Sequence, residues 1–245
     1  MKNNILVIGG LGFTGRNLVN YIKTNYPETN VHILDKKVYP AMDVKRKALD
    51  EFIYDLDINN SNIEQVIEQT NSSVIVNSVA VRLAELERVI PYGKEIDLKK
   101  LMNTSLGKTN VEGVKRIYAA VLNTRTLLLQ ISTAEVYGKL KADRDLRLIH
   151  HYSENEELNP ESPYAITRKL GEGVLKHHHK KEFMIARVSN IYGTNQYPFN
   201  IIPLYATNVL WGRELPVHFI KNKEELLKAF NRKHPELGVD AKLGP

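Results

Sequence analysis

At 245 residues, 42% hydrophobic and 25% charged, the chain is long enough for one α/β domain with a small appendage and has ample material for a core. It contains no cysteine, which excludes a disulfide framework, a thiolate metal site and a cysteine nucleophile. The net charge of +6 is scattered along the chain, so no nucleic-acid partner is expected, and no apolar run approaches the ~18 residues of a membrane span.

Met1-Lys2-Asn3-Asn4 leads directly into the apolar run 5–8, which is too short for a signal-peptide core, so a cytoplasmic location is expected. Runs 5–8, 31–34, 74–76, 127–131 and 184–188 read as buried parallel strands. Helices are predicted over about 15–24, 61–70, 108–122 and 162–178. This alternation predicts an α/β fold, a doubly wound parallel sheet of the Rossmann kind. Residues 81–107 form a long charged connection. Residues 195–245 leave the pattern, with helices predicted near 200–212 and at 223–232. The tract Lys176-His177-His178-His179-Lys180-Lys181 reads as the solvated end of a helix. Consecutive helical histidines point in different directions, so no metal site is expected there.

The first strand runs into Gly9-Gly10-Leu11-Gly12-Phe13-Thr14-Gly15. Gly9 permits a tight turn, Gly12 leaves the backbone bare for a pyrophosphate, and Gly15 lets the next helix pack closely. The N–H groups of Phe13, Thr14 and their neighbours then face the anion at a helix N-terminus. The second strand ends in Asp35, twenty residues after Gly15, where a carboxylate accepts both ribose hydroxyls and repels a 2′-phosphate. This favours NAD over NADP, although Lys36 and Lys37 follow at once.

With these motifs in order, the chain resembles the extended short-chain dehydrogenase/reductases, specifically the NAD-dependent epimerase/dehydratase group acting on nucleotide sugars. The resemblance covers roughly residues 4–217 and is nearest to the nucleotide-sugar 4,6-dehydratases such as dTDP-glucose 4,6-dehydratase. It rests on Asp35-Lys36 with Tyr39, on Asp57-Ile58 (or, in an alternative register, Asp55-Leu56), on Asn77-Ser78-Val79-Ala80 and on Asn110-Val111-Glu112-Gly113. Its most specific parts are Ser132-Thr133-Ala134-Glu135-Val136-Tyr137-Gly138 and Ser162-Pro163-Tyr164-Ala165-Ile166-Thr167-Arg168. Arg187-Val188-Ser189-Asn190 and Gly212-Arg213-Glu214-Leu215-Pro216-Val217 follow downstream.

The resemblance implies NAD as cofactor, a nucleotide sugar as substrate, and a homodimer. It implies cofactor contacts from Gly9, Gly12, Phe13, Thr14, Gly15, Asp35, Lys36, Asp57, Ile58, Ser78, Val79, Ala80, Asn110, Tyr164 and Arg168. It assigns Tyr164 as the base that removes the sugar's C4 hydroxyl proton, Thr133 as its orienting partner and Glu135 as the base at C5. Thr133, Asn190 and Arg187 are expected at the substrate. Three departures from the pattern stand out. Arg168 replaces the usual lysine four residues after the tyrosine, Ala134 replaces an acid, and Phe199-Asn200 replaces Glu-Lys. Arginine can hold a positive charge there but cannot pass on a proton. Dehydration, 4-epimerisation and decarboxylation are all compatible with the residues kept, as is a cofactor-binding subunit without turnover. Residues 1–190 are expected to form the NAD-binding domain and 191–245 a small, truncated C-terminal substrate lobe.

Overall fold

A computed structural model describes residues 3–36, 52–60, 62–82, 96–138, 151–178, 181–198 and 200–215. They fall into two compact units, Met1–Lys139 with Tyr152–Asn195, and Leu140–His151 with Gln196–Pro245. The predicted helix at 223–232, the tail, Lys37, Tyr39, Phe199 and Pro216-Val217 lie outside the described residues.

The first unit is built on a six-stranded sheet in the order β3-β2-β1-β4-β5-β6. Its strands are β1 (Asn4–Ile8), β2 (Asn30–Asp35), β3 (Ile53–Asp55), β4 (Val74–Asn77), β5 (Leu127–Thr133) and β6 (Phe183–Val188). Every pairing is parallel. Parallel strands are covered on both faces, which is why their sequences are continuous apolar runs. In β1, Leu6, Val7 and Ile8 are all buried, yet they serve opposite sides.

Leu6 and Ile8 join Leu34, Ile75 and Leu128 against one helical layer. That layer comprises α2 (Ile63–Thr70) through Ile63 and Ile67, α5 (Gly113–Val121) through Val114, Ile117 and Val121, and α6 (Pro163–His178) through Leu175. Val7, Val31 and Ile33 face the other way, onto Val19 and Ile22 of α1 (Phe13–Asn25). The doubly wound architecture expected from the sequence is therefore present.

Two elements differ from the sequence expectation. β3 was not foreseen, because three residues at a sheet edge leave no apolar run to detect. The segment predicted as one helix over 108–122 follows two short helices, α3 (Leu98–Met102) and α4 (Ser105–Gly107), and opens with a π-helical stretch, Lys108–Glu112, before α5. In the second unit, α7 (Ile201–Leu210) carries Pro203 in its first turn, where a missing N–H breaks no helical bond.

Candidate active site

The strand order reverses between β1 and β4, and in such sheets that switch point, at the carboxyl ends of the strands, is where ligands bind. The glycine turn sits there. Gly9 has φ +79°, and a Cβ on Gly15 would lie 2.2 Å from the Gly9 carbonyl oxygen, so neither position tolerates a side chain. A Cβ on Gly12 would meet only that same oxygen, at 3.3 Å; the rest of its surroundings are open. Gly12 is also the N-cap of α1 and brings no capping side chain, which leaves first-turn N–H groups, those of Phe13 and Thr14 among them, for an anion. Beside the turn, Asp35 Oδ2 accepts the Leu11 N–H at 2.9 Å. Burial pushes the Asp35 carboxyl above the usual range, against the opposing pull of backbone N–H groups and of the Lys36 ammonium. A bare turn, an uncapped helix and a half-buried carboxylate fit the pyrophosphate and the adenosine ribose of a dinucleotide.

Several other predicted cofactor residues brace this cradle. Ser78 Oγ donates to Ile8 O at 2.8 Å and Gly9 O at 3.2 Å, and the Val79 side chain packs against Gly9. Ala80 is exposed beyond them. Ile58 is buried in the core beneath Gly113, so only its backbone remains for a ligand. Asp57 Oδ1 accepts from Asn59 N at 2.8 Å, and its Oδ2 lies 3.6 Å from the Lys36 ammonium.

Asn110 was expected at the cofactor and is instead wholly buried. Its Oδ1 accepts from Val81 N at 3.0 Å, and its Nδ2 donates to Val81 O and Thr167 Oγ1, each at 3.0 Å. The side chain is spent inside the fold, clamping the segment after β4 to α6. The π-helical stretch supplies it, packed so closely on α6 that a Cβ on Gly171 would lie 2.4 Å from the Asn110 carbonyl.

The side chains expected to carry the chemistry lie at the end of β5 and the start of α6. Thr133 ends β5 and caps the 3-10 turn Ala134–Tyr137, its Oγ1 accepting from Glu135 N at 3.3 Å. Glu135 and Tyr164 share a neighbour. The Arg82 guanidinium stands 3.6 Å from Glu135 Oε1 and 5.9 Å from the centre of the Tyr164 ring. Arg82 was missed in the sequence because it lies in the charged connection; its place, just past a strand's carboxyl end, was the available signal. One turn along α6 from Tyr164, Arg168 is buried, donating from Nη2 to Ile131 O and from Nη1 to Val79 O, with Nε lacking a hydrogen-bond partner among the described residues. Burial lowers its pKa, opposed by the electrostatic influence of Tyr164 and Glu172, and an arginine so placed stays charged.

Arg187 was expected at the substrate and is instead fully engaged. It pairs with Glu172 Oε2 through Nη2 at 2.8 Å and donates from Nη1 to Tyr137 Oη at 2.7 Å and Glu154 O at 3.1 Å. Glu172 also accepts from Ser132 Oγ at 2.6 Å. Burial raises the Glu172 carboxyl, but the bonds from Arg187 and Ser132 and the charges of Arg187 and Lys176 outweigh it and hold it below the usual range. The Glu172 bond, working against burial, holds the Arg187 guanidinium above its own range. Asn190 lies two residues past β6, exposed and left-handed at φ +46°. Among the described residues no cluster of three or more potential ligands could hold a metal, and no helix is long and apolar enough to cross a membrane.

Fold and glycine turn together define a Rossmann-type dinucleotide-binding protein. The match to a known family is equally direct: residues 5–226 fit the NAD dependent epimerase/dehydratase family, and the chain belongs to it. It is 30% identical over 216 residues to dTDP-glucose 4,6-dehydratase of Mycobacterium tuberculosis, a match covering 85% of this chain and 60% of that protein. Dehydratase of the same name from Bacillus anthracis, solved in complex with NAD, superposes with a TM-score of 0.70 at 27% identity, over 89% of this chain and 64% of that one. UDP-glucuronic acid 4-epimerase from Bacillus cereus shares the fold, with a TM-score of 0.67 at 20% identity over 87% and 66% of the two chains. The chain thus spans less than two thirds of the length of these relatives.

Proposed function

We propose that the chain is an NAD-dependent enzyme of nucleotide-linked sugars, acting by transient oxidation at C4 and most consistent with 4,6-dehydration. The observation that carries this reading is the convergence of Glu135 and Tyr164 on one guanidinium, with Thr133 and the buried charge of Arg168 alongside. NAD is the family's cofactor, and when bound it would supply the hydride acceptor, with its pyrophosphate held by the glycine turn and its adenosine ribose by Asp35. Tyr164, as phenolate, removes the C4 hydroxyl proton. Arg168, one helical turn along, holds a fixed positive charge beside the reacting hydroxyl. Thr133 Oγ1 orients the same hydroxyl. With C4 a ketone, the C5 proton becomes acidic and the Glu135 carboxylate removes it. Asn190, exposed beyond β6, is free to reach the diphosphate.

A second reading, a cofactor-binding subunit without turnover, is favoured by one observation. Arg168 donates to two backbone carbonyls and has no proton to pass, so it holds structure as much as it serves chemistry. Mass spectrometry in heavy water with NAD and a panel of nucleotide sugars separates the readings. The proposal expects one sugar to lose water and gain deuterium. A new stereoisomer or loss of carbon dioxide assigns epimerase or decarboxylase chemistry instead. Unchanged sugars from a protein that binds NAD leave the subunit reading.

A further inference from the structure

The two strands that end beside the adenosine site carry opposite charges whose pairing no motif foretold. β2 ends at Asp35, and β3 runs parallel to it with Asp55 opposite Asp35. The pairing continues one step further, as Leu56 N donates to Asp35 O at 3.1 Å. Lys36 and Asp57 therefore leave the same edge of the sheet side by side, with the ammonium 3.6 Å from Asp57 Oδ2. The carboxylate is not a loose partner. Its Oδ1 accepts both the N–H and the Nδ2 of Asn59, at 2.8 and 2.9 Å. Asn59 is in turn bonded to Thr109 in the π-helical stretch and to Arg116 of α5.

A dinucleotide carrying a 2′-phosphate needs a cation next to the carboxylate that would otherwise take the ribose hydroxyls. Lys36 has the right charge, and it is near enough for its charge to act on Asp35. Its ammonium is turned to Asp57 instead. Resting on the reading that NAD binds at the glycine turn, we propose that Asp57 is a specificity-determining residue, which holds Lys36 off the 2′ position and so keeps the chain selective for NAD over NADP. The tether competes with a phosphate for one exposed lysine, and an exposed ion pair is worth a few-fold in equilibrium, so the effect is graded rather than absolute.

Calorimetric titration of the full chain with NAD and with NADP tests this through the ratio of the two dissociation constants. Asp57→Asn removes the charge but keeps Oδ1 to accept from Asn59, and both side chains of the pair are partly exposed, so the fold is retained. Any change in the adenine contact affects both cofactors and cancels in the ratio. D57N should shift the ratio toward NADP by about three- to fivefold. The shift should vanish when D57N is made in the K36A background. An unchanged ratio in D57N overturns the inference, and so does an equal shift with Lys36 absent, because Asp57 would then act on the phosphate directly. If NAD binds and the ratio does not move, only the inference falls. If the unaltered chain binds neither cofactor, the reading beneath it falls as well.

Discussion

Tyr164 and Arg168 sit one helical turn apart, and their surroundings assign them different work. Tyr164 is half-buried near Arg82 and Glu135; Arg168 is enclosed and tied to two carbonyls. Tyr164→Phe should lower kcat by about 10²–10⁴-fold while leaving NAD affinity nearly unchanged, as steady-state rates and calorimetry would read. Arg168→Lys keeps a charge but loses one of the two carbonyl bonds. It should retain measurable turnover and cost about 1–3 kcal/mol in a denaturant titration. Arg168→Met removes the charge and should abolish turnover. Asp35 gives a pH prediction. Its raised pKa means that the charged form is lost at a higher pH than in an ordinary aspartate, and the carboxylate accepts from ribose hydroxyls more strongly than the neutral acid does. NAD binding should therefore weaken as pH falls through the Asp35 value, at a pH above that of an ordinary aspartate. A binding constant flat across the acid range would contradict this.

At the scale of elements, the site depends on how α6 and the β4 connection are held together. Asn110 does this with three hydrogen bonds at a fully buried position. Asn110→Ala should cost about 1–3 kcal/mol or more, and should lower kcat because Val79 and Arg82 lose their fixed positions. The Glu172–Arg187 pair ties α6 to β6. Because the Glu172 pKa is depressed, its stabilisation is complete above the ordinary carboxylate range and is lost as pH falls through the depressed value. Glu172→Gln should cost about 3–5 kcal/mol and remove that part of the acid sensitivity. The sequence showed the covered strands because continuous apolar runs mark them, and it showed the glycine turn because a strand, a helix and Asp35 flank it. It hid β3, which is three residues long, and the π-helical stretch, whose composition is that of any helix. It also could not show that the side chains of Asn110 and Arg187 are bonded within the fold. A motif records that a residue type is needed but not whether its polar atoms face inward or out.

At the scale of the whole molecule, one sheet edge gathers the residues on which the proposed chemistry rests. The glycine turn follows β1, Asp35 ends β2, the Val79–Arg82 segment follows β4, Thr133 ends β5, and Asn190 follows β6. Parallel strands make this possible because they all deliver their carboxyl ends to one side. A ligand that binds only the folded chain stabilises it by mass action, so saturating NAD should raise the melting temperature, and Gly15→Ala, which drives a Cβ into the Gly9 carbonyl, should abolish that rise. The central claim, reversible oxidation of a nucleotide sugar by NAD held at this edge, is tested most directly by rapid mixing. The NAD-loaded chain is mixed with each nucleotide sugar in turn while the near-ultraviolet band of reduced nicotinamide is followed. The account predicts a transient band with at least one sugar and none in Tyr164→Phe. No band with any sugar, from protein that demonstrably binds NAD, would contradict it.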